Sequence, residues 1–248
     1  MSGTCAVTAG TPSTGSRVCT DSPRDRYRAY PESLVKLDPA LGKLGVLLEP
    51  TSVVAKAWEH IERIGRRAVW EPRSVLITGA GPVGLLAALL AVQRGLEVHV
   101  LDRITEGRKP NLVKALGAQY HSIPVADLRL EMDVVLECTG AASVIAEVLD
   151  GTGRNGIVCL AGVSSPGRRI AVDIGRLNRE LVLDNDVIFG SVNANRRHYE
   201  AGAEALAAAD ASWLSGLLTR EVPIESYVEA LVQSRDDVAD TIKTVVTF

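Results

Sequence analysis

The feature that most constrains this chain is a glycine turn, Gly79-Ala80-Gly81-Pro82-Val83-Gly84, set between an apolar strand and an apolar helix. A G-x-G-x-x-G pattern by itself is weak, but three strengthening conditions are met together here. The turn directly follows Ser74-Val75-Leu76-Ile77-Thr78, a continuous apolar run typical of a parallel strand buried on both faces. It directly opens a helix predicted over residues 82–94, apolar almost all round and closed by Gly95. Asp102 closes the next predicted strand, residues 97–101, about twenty residues on.

Each residue type in the turn has a physical task. Gly79 allows the tight exit from the strand. Gly81 lacks a side chain, so backbone N–H groups can approach a pyrophosphate. Gly84 lets the helix pack close to the sheet. Pro82 suits a first helical position, and with Val83 it starts the helix whose positive end and unpaired N–H groups face the phosphates. The Asp102 carboxylate can accept hydrogen bonds from the adenosine ribose and repels a 2′-phosphate, which favours NAD. Arg103 follows it, with Arg108 and Lys109 nearby, and these cations could hold a 2′-phosphate if Asp102 turned away. The expected cofactor is NAD, with NADP tolerated. The competing reading is a plain strand-to-helix turn with a solvated basic loop after it.

Downstream, strands and helices alternate. Strands are predicted at 118–121, 132–137, 156–160 and 186–192, with helices at 111–116 and 141–149. This alternation implies right-handed crossovers and an α/β fold, a doubly wound parallel sheet of the Rossmann kind covered on both faces. Such sheets bind ligands beyond the carboxyl ends of their strands. That rule adds Thr139 and Gly140 after the fourth strand, Gly162 and Val163 after the fifth, and Ser191 and Asn193 after the sixth as cofactor-binding candidates. Upstream, residues 33–37 read as a short strand and residues 52–67 as an amphipathic helix. Further helices are expected at 199–209 and 224–233, and a last strand at 241–247. The resulting division is residues 1–30 poorly ordered or altered, 31–69 a connecting remnant, 70–210 the nucleotide-binding domain, and 211–248 a returning segment.

Composition excludes several classes. A formal net charge of −3 and no basic stripe with interleaved aromatics argue against nucleic-acid binding. The longest apolar run, Val83 to Val92, is about half a bilayer span. No positive start precedes an apolar segment at the N-terminus, so no secretory signal is read and a cytoplasmic location is expected. Cys5, Cys19, Cys138 and Cys159 form no C-x-x-C pair. His99 reads as a strand histidine with a satisfied hydrogen bond and His60 as a residue on the solvent side of its helix.

The chain resembles the zinc-dependent medium-chain dehydrogenases, and among them the glucose 1-dehydrogenase type. The residues carrying this are Gly45-Val46-Leu47-Leu48-Glu49-Pro50 with Ser52-Val53-Val54, the glycine turn, Asn111 to Ala118, and Glu137-Cys138-Thr139-Gly140. The most specific is Gly190-Ser191-Val192-Asn193-Ala194-Asn195 with His198. The resemblance runs from about Tyr27 onward. It implies oxidation of an aldose at C1 to the lactone, with hydride passing to NAD(P). It implies Glu49 as a ligand or near-ligand of the catalytic zinc, Asn193 where nicotinamide and sugar meet, and a homo-oligomer formed through the sixth strand. It also implies remnants of a GroES-like catalytic domain at both ends of the Rossmann unit.

The sequence departs from that pattern upstream. The family's catalytic Cys and His and its lobe of closely spaced cysteines have no counterpart before Glu49. One carboxylate cannot hold zinc in a three-ligand site, so zinc is not expected to be retained. An altered or truncated start is the expectation, with apolar surface exposed over residues 34–48 and 219–248. Two alternatives to an active oxidoreductase stay open: a non-catalytic dinucleotide-binding module and an inert fragment.

Overall fold

A computed structural model describes residues 30–31, 34–149, 152–167, 169–226, 228 and 241–248. The segment before residue 30 and most of the helix expected at 224–233 lie outside the described residues. By their internal contacts the described residues divide into two units. One is Val53–Asn193; the other joins the residues up to Ser52 with Ala194–Phe248.

The Val53–Asn193 unit is a six-stranded, all-parallel sheet. Its strands are β1 (Ser74–Thr78), β2 (Glu97–Leu101), β3 (Gln119–His121), β4 (Met132–Glu137), β5 (Thr152–Leu160) and β6 (Val187–Gly190), in the order β3-β2-β1-β4-β5-β6. The order reverses between β1 and β4, which opens a crevice at their carboxyl ends. Alternate residues bury alternate faces. Leu76, Leu101, Val135 and Val158 share one core with Val125, Met132 and Val148. The intervening Val75, Ile77, Val100, Val134, Leu136 and Ile157 are fully buried as well. A sheet covered on both faces leaves its ladder no water to compete for the backbone, and its strands read as unbroken apolar runs.

The helices of this unit are most of α1 (Leu48–Gly65), then α2 (Pro82–Gln93), α3 (Arg108–Ala115), α4 (Val125–Leu128), α5 (Ala142–Val148) and α6 (Ile174–Asp184). α2 packs on β1 and β2 and buries every residue from Gly84 to Ala91. Its sequence therefore has no polar stripe. Each of α4 and α6 escapes the sequence reading for its own reason. α4 is a single turn. α6 is amphipathic but keeps Val182 and Leu183 on the surface and buries only Leu177 among its apolar residues. The apolar periodicity that signals a core-facing helix is thus diluted.

In the other unit, a 3-10 segment, Pro39–Leu47, starts at Asp38, whose side chain accepts from the Ala40 N–H at 2.8 Å. It packs on α7 (Arg196–Ala207) and α8 (Ala211–Leu217), and a parallel pair, β7 (Leu218–Pro223) with β8 (Lys243–Thr247), completes the unit. Two expectations are corrected here. Residues 34–37 form no strand and run as irregular chain. The apolar residues of 41–48 are not exposed: Leu41, Leu44, Leu47 and Leu48 are buried in a core shared with Leu206, Leu214 and Leu217. Over 219–248 the outcome is mixed, with Val228 and Phe248 exposed and Val222 and Ile242 buried; further exposed large apolar side chains include Val163, Ile170, Val172, Ile174, Val182 and Leu183.

No helix of the described residues is long and apolar enough to cross a membrane.

Candidate functional site

The glycine turn sits at the crevice, between the end of β1 and the start of α2. Gly79 holds φ +90, a conformation that a side chain strains, and its N–H donates to the Leu101 carbonyl at 2.6 Å. A methyl group at Gly84 would lie 1.8 Å from the Gly79 carbonyl oxygen, so the helix and the turn are in direct backbone contact. At Gly81 the same methyl would meet nothing within 4 Å. Gly81 therefore faces open space at the head of α2, where the first-turn N–H groups have no partner within the helix. Pro82 and Val83 form the first helical positions. That combination of bare backbone, free donors and positive helix end suits an anion.

Asp102 lies at the end of β2 and is mostly buried. Its Oδ2 accepts from the Ala80 N–H at 2.7 Å and its Oδ1 from the Ile104 N–H at 3.2 Å. One carboxylate thus ties the glycine turn to the loop after β2, and each oxygen keeps a lone pair for a further donor. Lys109 is not the solvated cation that its neighbourhood suggests: it is 4% exposed, with Nζ 4.0 Å from Asp102 Oδ2. Arg103 and Arg108 are exposed. The nearby Tyr120 hydroxyl is pushed above its ordinary range, first by burial and then by the Asp102 charge.

On the other side of the crevice the organising group is Glu137, which the sequence reading included only within a motif. It is fully buried at the end of β4. Its carboxylate accepts from the Thr139 N–H at 2.7 Å, the Gly140 N–H at 3.0 Å, the Thr139 hydroxyl and, at 3.3 Å, the Thr78 hydroxyl. A buried carboxylate needs such donors, because taking a charge out of water is costly unless it is hydrogen-bonded. The turns after β4 and β5 interlock around it. A methyl at Gly140 would lie 2.6 Å from the Val163 carbonyl, and one at Gly162 would lie 2.1 Å from the Gly140 nitrogen and 2.7 Å from Glu137 Oε2. A legible signal existed: an acidic residue ending an otherwise apolar buried strand, followed by Thr-Gly.

The two clusters touch, since a methyl at Gly79 would lie 2.9 Å from Thr139 Cγ2. Gly79, Gly81, Pro82, Val83, Gly84, Asp102, Thr139, Gly140, Gly162 and Val163 therefore gather around the switch point, with Val163 84% exposed. Ser191 follows β6, with its N–H on the Leu160 carbonyl at 3.0 Å and its hydroxyl buried without a partner. Asn193 is exposed and holds φ +60. Cys138 and Cys159 lie nearby on β4's turn and β5. Burial pushes both thiols up, Cys159 to about 12 even though Lys56 pulls it the other way. Neither is suited to act as a thiolate.

Glu49 belongs to the other unit. It is exposed in the first turn of α1. Among the described residues no group of three His, Cys, Asp or Glu side chains is placed to hold a metal ion, so these residues do not fit a catalytic zinc. The histidines are engaged elsewhere. His99 is buried, with Nδ1 2.9 Å from His121 Nε2. His198 Nδ1 accepts from the Asn195 N–H at 3.1 Å at the start of α7. His60 is half-buried with its ring 6.1 Å from that of Phe189, rather than turned to solvent.

Comparison with known proteins gives this geometry a context. The sequence profile described as Glucose dehydrogenase C-terminus matches residues 42–248. A glucose 1-dehydrogenase from Methanocella arvoryzae is 36% identical over 222 residues, covering 86% of this chain and 62% of that protein. Glucose 1-dehydrogenase 1 of Caldivirga maquilingensis is 38% identical over 210 residues, covering 83% and 60%. Among solved structures, Haloferax mediterranei glucose dehydrogenase in complex with NADP, Zn and gluconolactone superposes with a TM-score of 0.80 at 30% identity, over 89% of this chain and 63% of that one. The chain thus spans 60% to 62% of the length of these two curated relatives.

Proposed function

Because the chain belongs to the Glucose dehydrogenase C-terminus family, we propose that it binds NAD(P) in the oxidation of an aldose, glucose or a close analogue, at C1 to the lactone. The observation that carries the reading is the open backbone at Gly81, at the head of a buried helix and beside a carboxylate closing the next strand. In this reading the turn from Gly79 to Gly84 cradles the pyrophosphate, and Asp102 takes the adenosine ribose. The Asp102 carboxylate repels a 2′-phosphate, so NAD is preferred, and Arg103 stands ready for that phosphate, so NADP is tolerated. Thr139, Gly140, Gly162, Val163 and Ser191 line the nicotinamide half, and Asn193 lies where the ring and the sugar meet. When bound, the dinucleotide supplies a nicotinamide ring that accepts the hydride. The protein's part is to orient that ring and exclude water from one of its faces.

The relatives' names and the complex of the Haloferax enzyme with NADP and gluconolactone support the sugar and the product. Residues 70–210 correspond in this reading to the nucleotide-binding domain, with flanking segments belonging to a GroES-like catalytic domain. β6 stands at an edge of the sheet, and pairing of its backbone with a second copy would extend the sheet into a homo-oligomer. The working compartment is the cytoplasm.

A second reading, a dinucleotide-binding module without turnover, is favoured by Glu49, an exposed carboxylate that belongs to no group of three His, Cys, Asp or Glu side chains placed to hold a metal among the described residues. Titration calorimetry of the full chain with NAD and NADP, beside glucose-dependent formation of reduced nicotinamide with zinc supplied, separates the two. Binding with turnover supports the dehydrogenase. Binding alone supports the module. Absence of both overturns both.

A further inference from the structure

One contact beside the crevice belongs to neither the strand ladder nor the apolar core. α1 buries Val54, Ala57, Trp58 and Ile61. Lys56 is only partly buried, yet its Nζ donates to the Val192 carbonyl at 2.7 Å. A lysine stem is ordinarily left mobile, because fixing it costs rotamer entropy. Here it is held on one carbonyl just past the carboxyl end of β6. That carbonyl lies between Ser191, the last residue bonded to the neighbouring strand, and Asn193, whose backbone is left-handed.

The described residues contain no cis peptide bond. In a trans peptide the carbonyl and the following N–H point in opposite directions. Holding the Val192 carbonyl on Lys56 therefore turns the Asn193 N–H the other way. Among the described residues this N–H has no acceptor. Asn193 is exposed, whereas the adjacent Ser191 hydroxyl is buried and has no partner among the described residues. A carboxamide, with both donors and an acceptor, is the kind of group these two can satisfy.

We propose that Lys56 is a positioning residue: it orients the Val192–Asn193 peptide so that the Asn193 N–H meets the carboxamide of a bound nicotinamide. The inference rests on the dinucleotide reading above and deepens it. Lys56 itself touches neither cofactor nor sugar. Its anchor also holds the left-handed turn at Asn193, a conformation that asparagine tolerates better than most residues.

The test compares NAD with ADP-ribose, which keeps the adenosine, the pyrophosphate and the second ribose but lacks nicotinamide. On the full 248-residue chain, Lys56→Met keeps the apolar stem and removes the donor. NAD affinity should fall about tenfold, the scale of one charge-assisted hydrogen bond. ADP-ribose affinity should stay within about twofold, and Lys56→Arg should restore most of the NAD affinity. An equal loss for both ligands would make Lys56 a general charge or a packing residue and overturn the proposal. So would unchanged NAD affinity in Lys56→Met. If Lys56→Met does not fold, the same comparison on Lys56→Leu decides: NAD affinity falling severalfold while ADP-ribose affinity holds supports the proposal, and unchanged NAD affinity or an equal loss for both ligands overturns it. Failure of the unaltered chain to bind either ligand would instead sink the dinucleotide reading itself.

Discussion

Gly81 and Gly84 stand three positions apart in one turn, and exchanging each for alanine should have opposite consequences. At Gly84 the new methyl would lie 1.8 Å from the Gly79 carbonyl oxygen and 2.9 Å from its carbon. The obstacle is backbone, so no side chain can swing aside. The start of α2 must retreat by roughly 1.2 Å merely to reach 3.0 Å, against a helix whose residues 84–91 are all buried. Overpacking of this kind costs about 1–3 kcal/mol. For a chain of this size that is a fall in Tm of roughly 2–12 °C. At Gly81 the methyl meets nothing within 4 Å, and φ is −81, which alanine adopts freely. Stability should therefore change by less than about 0.5 kcal/mol, a weaker helix cap being offset by the smaller entropy of the unfolded chain. In the proposed reading the added methyl would nevertheless stand where the pyrophosphate approaches, and affinity for NAD should fall at least about tenfold. Urea unfolding and titration calorimetry on both variants give the four numbers needed. Gly81→Ala binding NAD as tightly as the unaltered chain would refute the reasoning, as would Gly84→Ala with unchanged stability.

Glu137→Ala should destabilise the fold by about 2–4 kcal/mol in urea, because the Thr139 and Gly140 N–H groups lose a buried acceptor; a loss below about 0.5 kcal/mol would contradict that role. Leu86→Ala, at a fully buried position of α2, should cost about 3–5 kcal/mol by thermal or urea unfolding. His121 is held below the ordinary imidazole range, first by burial and then by His99. The unfolded chain therefore takes up this proton first as pH falls, so the stability His121 contributes is complete above about pH 6.5 and is lost on acidification below it. Urea midpoints of the unaltered chain and of His121→Gln, taken from about pH 7.5 to about pH 5, should show the shallower dependence in the variant; parallel curves would exclude this source. In the proposed reading Asp102→Asn would remove the charge that faces a 2′-phosphate, and the ratio of NADP to NAD affinity should rise about tenfold by calorimetry.

Much of the Val53–Asn193 unit is legible in the residues themselves. β1 has an unbroken apolar centre, and β2 and β4 are apolar between their end residues but for His99 and Asp133, as parallel strands covered on both faces tend to be. The glycine turn could be placed on a strand-to-helix junction because its neighbours are strongly patterned. Weaker patterning explains the misses. Residues 34–37 are apolar enough to read as a strand but pair with no strand among the described residues. The 3-10 segment Pro39–Leu47 contains Gly42 at φ +46, a break that no helical period describes.

The boundary between the two sources of information runs through the carboxylates. Local sequence determined that a bare-backbone turn would head a buried helix, since strand period, glycine spacing and helix composition are all properties of neighbouring residues. That Asp102 would lock onto the Ala80 amide, that Lys109 would be buried beside it, and that Glu137 would gather two turns around itself was decided by tertiary structure. Each depends on which strands become neighbours, and that choice is made by the packing of the whole sheet. A charged side chain buried in this way survives only where folding brings it enough donors to replace water.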